Sequence, residues 1–225
     1  MRVIRPLFLL SAAAALGSPT ELPRLDAIPR PLTVRNAPVE VRVTDGAVLK
    51  IAATGGTNLF RSPAGGYEVV DAPMAVFGPD RNFILTAKVA GVLRNVYDVG
   101  ALVLYEDERT WAKLCYENSA QKEPTIVSVV TRGYSDDCNS TTVDTAYAYM
   151  AIARKGEEIS FHYSRDGKQW RLVRHFRMAF GDAAQVGFAV HGSRGDGFEA
   201  AFSEILYRAV APKNMRQLDA ADLQR

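Results

Sequence analysis

Along most of the chain, apolar and polar residues alternate in short runs instead of recurring at helical spacing. Val39-Glu40-Val41-Arg42-Val43 alternates one for one, and residues 48–53 form an apolar run that ends at Gly55-Gly56. In residues 82–89, Phe83, Leu85, Ala87 and Val89 alternate with Ile84, Thr86 and Lys88. Similar runs fill 100–106, 111–117, 125–131, 147–154, 158–164, 172–177, 185–191 and 198–206. A period of two marks strands, and these runs are rich in Val, Ile, Tyr and Phe. Lys155-Gly156-Glu157 and Asp166-Gly167 fall between adjacent runs, where a hairpin needs positive φ. A 3.6-residue stripe occurs only in the tail. There, residues 214–223 predict a short amphipathic helix with Met215, Leu218 and Leu223 on one side. It is too short to be stable alone. About ten or eleven strands are too many for a small immunoglobulin domain and suit a two-sheet jelly roll. The expected fold is therefore all-β, a jelly-roll sandwich with a short C-terminal helix or tail.

The N-terminus breaks the pattern. Arg2 and Arg5 precede the apolar run 7–10 and the small residues 11–17, the layout of a secretory signal with cleavage near Ala15 or Gly17. A buried helix is the alternative, and Pro19, Pro23, Pro29 and Pro31 oppose it. The expected organisation is a signal peptide at 1–17, a proline-rich linker or arm at 18–38, a sandwich at 39–210 and a tail at 211–225. The expected location is secreted or periplasmic. At 225 residues, 48% hydrophobic and 23% charged, the chain fits one domain with a sizeable core. No apolar run reaches the roughly 20 residues of a membrane-spanning helix. Loss of Arg2 and Arg5 takes the formal charge from +2 to zero, so binding of nucleic acid through a broad basic surface is not expected.

Candidate chemistry centres on two consecutive runs, Leu102-Val103-Leu104-Tyr105-Glu106 and Trp111-Ala112-Lys113-Leu114-Cys115-Tyr116-Glu117, joined by a turn at 107–110. As an antiparallel hairpin, one face collects Ala101, Val103, Tyr105, Ala112, Leu114 and Tyr116 and reads as core. The other collects Leu102, Leu104, Glu106, Trp111, Lys113, Cys115 and Glu117. An indole, an ammonium and carboxylates on one face suit a saccharide: apolar sugar C–H faces lie on an aromatic ring while hydroxyls meet polar groups. In that role Trp111 stacks, and Lys113, Glu117, Glu106 and Arg132 make polar contacts. In a plain structural role, Trp111 packs and Lys113 pairs with a glutamate across strands. In an oxidising compartment Cys115 and Cys138 could pair, closing a loop of about 23 residues worth roughly 3 kcal/mol. Two separate thiols are the alternative.

The stretch from Gly100 to Glu117, with Val129-Val130-Thr131-Arg132-Gly133-Tyr134-Ser135-Asp136, Tyr163-Ser164-Arg165-Asp166-Gly167-Lys168-Gln169-Trp170 and the run from Phe198 to Ser203, resembles the domain of unknown function 1349 family. The resemblance spans about Gly56 to Tyr207 and implies a concanavalin A-like jelly roll, a fold shared with lectins and glucanases. It implies no particular activity. This chain departs by carrying Cys138 and a longer segment, 137–145, after the second motif.

A glycosidase would need two carboxyl groups flanking its substrate, with Glu106 and Glu117 as the pair. Yet Glu106-Asp107-Glu108 does not match the Glu-x-Asp strand of glucanases with this fold. Asp136 and Asp137 suit either a calcium ion or solvent. His162, His175 and His191 lack metal-ligand spacing, and no phosphate or dinucleotide loop occurs, so no cofactor is expected. His191 ends a run whose second face is Gly187, Ala189 and His191; it is either a groove contact or a strand-end residue. Arg194-Gly195-Asp196 falls in 193–197, which reads as a hairpin turn rather than an adhesion motif. The expected function is binding of a carbohydrate or similar polar ligand on the concave sheet. The alternatives are a hydrolase using paired glutamates and a structural or protein-interaction module.

Overall fold

The computed structural model describes residues 24–224, so the expected signal at 1–17 lies outside the described residues. The first eight strands are β1 (Thr33–Arg35), β2 (Glu40–Thr44), β3 (Val48–Thr54), β4 (Leu59–Arg61), β5 (Glu68–Val70), β6 (Met74–Phe77), β7 (Asn82–Ala90) and β8 (Asp98–Asp107). They are followed by β9 (Thr110–Asn118), β10 (Pro124–Arg132), β11 (Tyr134–Thr142), β12 (Tyr147–Lys155), β13 (Glu158–Ser164), β14 (Trp170–Arg177), β15 (Gln185–Gly192) and β16 (Gly197–Arg208). A single helical turn, α1 (Ala220–Leu223), comes last.

Two seven-stranded antiparallel sheets result, one ordered β1-β6-β15-β8-β9-β10-β11 and the other β14-β13-β12-β7-β16-β3-β2. The alternating apolar positions explain why they stack. Leu102, Leu104, Leu114, Tyr116 and Phe188 of the first sheet share one core with Leu85, Val89, Ile152, Phe161 and Phe202 of the second. Phe188 and Phe202 meet across the gap with ring centroids 5.0 Å apart. Each such side chain contributes roughly 1.5–3 kcal/mol by leaving water. Gly156 (φ 63°) and Gly167 (φ 71°) make the two turns that need a left-handed residue.

Three expectations change, and one segment without apolar alternation proves to be strand. The arm at 18–38 is not a free linker where it is described: β1 pairs with β6, and Leu25, Ile28 and Leu32 are buried in the main core. Residues 137–145 are largely strand, because β11 pairs with β10 at the sheet edge. Its Asp, Asn, Ser and Thr side chains carry no apolar alternation because nothing covers them. Residues 193–196 join strands of different sheets, so they form a crossover and not a hairpin turn. In the tail only 220–223 is helical, yet Met215 and Leu218 still pack with Ile84, Ala151 and Ala153 on the outer face of the second sheet.

Candidate functional site

The outer face of the first sheet is roofed at one end by the β4–β5 hairpin, a separate two-stranded sheet. Arg61 ties the roof down: its backbone N–H donates to Ser135 Oγ (3.0 Å) and its Nε to the Gly133 carbonyl (2.7 Å). Beneath lies a second apolar cluster that includes Leu59, Met74, Val103, Tyr105, Trp111 and Val129. The sheet also contributes short side chains to this cluster, Val99, Ala101, Cys115 and Ala189, all fully buried. Between the hairpin and this face of the sheet is a hollow of about 510 Å³, within the range of ligand pockets.

Register decides which residues reach it. A bulge between Tyr105 and Asp107 sets Tyr105 opposite Trp111, Val103 opposite Lys113 and Ala101 opposite Cys115. Ala101, Val103 and Tyr105 therefore share the outer face with Trp111, Lys113, Cys115 and Glu117, while Leu102 and Leu104 turn to the main core. The expected faces of β8 are thus exchanged, since a one-residue slip moves every side chain to the opposite side. Those of β9 are as expected.

Lys113 and Glu117 line the hollow, together with Asp137 from β11 and His191 and Arg194 from the end of β15 and the crossover. The roof contributes Asn58, Phe60 and Tyr67. Lys113 and His191 are each 2% exposed and Glu117 8%. The Lys113 ammonium, a donor only, donates to His191 Nε2 at 3.0 Å, so the neutral ring carries its proton on Nδ1. Burial first, then the Lys113 charge, pushes the His191 pKa well below its ordinary value. Burial also lifts Glu117 to about 7, with Lys113 opposing and Asp137 assisting the shift. Tyr97, which lines the same hollow, is held at φ 68°. That left-handed conformation costs a bulky residue on the order of 1 kcal/mol, and such strain gathers at functional sites. Phe60 and Tyr67 lie with ring centroids 6.4 Å apart, and Tyr67 accepts a hydrogen bond from Asn58 Nδ2 (3.1 Å).

The other expected contacts lie elsewhere. Trp111 is fully buried under the roof and offers no platform; of the aromatic residues lining the hollow, Tyr67 is 45% exposed and Phe60 and Tyr97 are partly exposed. Glu106 is outside the hollow, where Oε1 accepts the Gly181 N–H at 2.8 Å. Arg132 lies at the sheet rim and donates to the Arg177 carbonyl of the second sheet. The pairing of Glu106 with Glu117 is lost with that geometry. Cys115 and Cys138 are both free, one buried and one exposed. In register Cys115 lies opposite Val127, and Cys138 opposite Ser128, so β10 separates them and they face opposite sides of the sheet. Burial pushes the Cys115 thiol up to about 12. Asp136 pairs with Arg174 (3.0 Å), and among the described residues no group of three His, Cys, Asp or Glu side chains is arranged to hold a metal ion.

With these features in place, the comparisons with known proteins define the class. The chain is a concanavalin A-like jelly roll, and it belongs to the family described as "Protein of unknown function (DUF1349)", which matches residues 35–210. A functionally unknown protein from Saccharomyces cerevisiae has a similar structure, with a TM-score of 0.74 at 21% identity over 85% of this chain and 100% of that one. The GH43 BlXynB protein from Bacillus licheniformis is similar at a TM-score of 0.59 and 17% identity over 74% of this chain. A xylan β-1,4-xylosidase from Bacillus halodurans follows at 0.56 and 15% identity over 71% of this chain. The matched region spans only 33% and 32% of those two longer proteins. No curated protein matches the sequence. At these identities the likenesses establish the fold alone.

Proposed function

We propose that the protein binds a saccharide in the hollow on the outer face of its first sheet. The observation that carries this is the pairing of an exposed aromatic ring, Tyr67, with three buried polar groups, Lys113, His191 and Glu117, around one cavity of about 510 Å³. Sugars need that combination: a ring face against C–H groups and fixed donors and acceptors for hydroxyls. Tyr67 and Phe60 take the stacking role first assigned to Trp111, while Asn58 and Glu117 meet hydroxyls. Screening on immobilised glycans tests this: Tyr67→Ala should weaken binding about tenfold, the worth of roughly 1.4 kcal/mol. Unchanged binding in that variant removes the platform.

Hydrolysis is a second reading, favoured by one observation. Glu117 retains its proton up to about 7, and Asp137 shares its cavity, the acid and carboxylate that glycoside hydrolysis requires. Oligosaccharide cleavage abolished in both Glu117→Gln and Asp137→Asn establishes it; binding without turnover in the parent protein rejects it.

We also propose export, from the basic and apolar layout of residues 1–17. N-terminal sequencing of the protein from a periplasmic or secreted fraction should read from just beyond Ala15 or Gly17. A chain there that still begins at Met1 overturns it.

A further inference from the structure

Lys113 is the residue whose chemistry the binding of a neutral sugar leaves incomplete. Its ammonium has three N–H donors, and among the described residues only His191 Nε2 accepts one, at 3.0 Å. His191 is neutral, so it satisfies a donor without balancing the charge. Among the described residues no carboxylate comes within 4.0 Å of Nζ, and the Trp111 ring centroid lies 5.8 Å away. A buried ammonium without a counter-ion costs several kcal/mol, and a hydrogen-bonded anion offsets that cost. The other charged groups around the cavity are Glu117, Asp137 and, at its mouth, Arg194. Arg194 is exposed and makes no ion pair among the described residues, so it is a second cation available to an incoming anion.

Building on the saccharide reading, we infer that the ligand is an acidic sugar whose carboxylate is received by the Lys113 ammonium, with Arg194 at the entrance. Glu117 fits this arrangement. Buried beside the cavity and holding its proton near neutrality, it donates a hydrogen bond in its protonated form and repels a ligand carboxylate when ionised. The rings of Phe60 and Tyr67 are left for the apolar faces of the sugar.

Calorimetric titration of the whole protein with galacturonate, glucuronate and mannuronate oligomers, each beside its carboxyl-reduced neutral counterpart, separates this inference from the one it rests on. At least one acidic oligomer should bind about tenfold more tightly than its reduced form, and the preference should shrink at high salt. Lys113→Met should erase the preference, Lys113→Arg should retain part of it, and Glu117→Gln should strengthen binding of the acidic form above pH 7. Should Lys113→Met fail to fold, the Glu117→Gln gain and a loss of preference in Arg194→Ala carry the same information. Equal binding of acidic and reduced oligomers overturns the carboxylate site and leaves saccharide binding standing. Binding of neither overturns both.

Discussion

Single residues set how the molecule responds to pH and to thiol reagents, Glu117 and Cys115 on the outer face of β9 among them. Glu117 has a folded pKa of about 7 against an ordinary 4.5, so between those values the fold holds a proton that the unfolded chain releases. Stability from this group is present at the acid end and is lost as pH rises through that window. His162 acts with the opposite sign. Burial lowers it to about 4, so stability is lost as pH falls from 6.5 towards 4, and His191 shares that direction. Glu117→Gln removes the loss on the alkaline side. Relative to the parent, it should be more stable at pH 8 than at pH 5 by an amount on the order of 2 kcal/mol, read from urea unfolding at both pH values. For the thiols, a maleimide should modify Cys138 in the native protein and reach Cys115 only after unfolding, as peptide mapping would reveal. Modification of Cys115 at the same rate as Cys138 in the native state would contradict the burial found for it.

At the scale of elements, β9 joins the main core to the roofed cluster because both its faces are covered. Trp111→Ala leaves a large void under the roof and should cost about 3–5 kcal/mol in denaturant unfolding, far more than a surface stacking residue would. Arg61→Ala removes the bond from the hairpin to the Gly133 carbonyl and, within the hairpin, the cross-strand ion pair with Glu68 (2.8 Å). It should raise hydrogen exchange across β4 and β5 while the two large sheets stay protected. The sequence pattern located the long strands apart from the polar β11, and the correct face of β9, because one-sided burial imposes period two over many residues. It did not locate β1, β4, β5 and β6, which have only three or four residues each, too few for a period to register. Nor did it reveal the bulge after Tyr105, a backbone event without a distinctive residue, and that bulge alone exchanged the faces of β8. Lys113 and Glu117 were legible for the same reason as β9. Tyr67, Asn58 and Tyr97 were not, since they come from turns and short strands that reach the cavity only through tertiary packing.

For the whole molecule, the outer faces of the two sheets are covered in different ways. The second is strapped by the tail, where Met215 and Leu218 cover Ile84, Ala151 and Ala153 and an Asp219–Asp222 capping box opens the last helical turn. Removing residues 214–225 exposes that surface and should lower unfolding free energy by about 3 kcal/mol, from the burial of those two side chains. Ligand binding on the opposite sheet should persist in the shortened chain. No helix among the described residues is long and apolar enough to cross a membrane. The first sheet is covered by the hairpin, whose strands pair with each other and with neither large sheet. On the proposed reading the hairpin is where preference would be written: changes at Asn58, Phe60 and Tyr67 should alter which molecule is selected, while Leu59 and Arg61 keep the hairpin seated on the sheet.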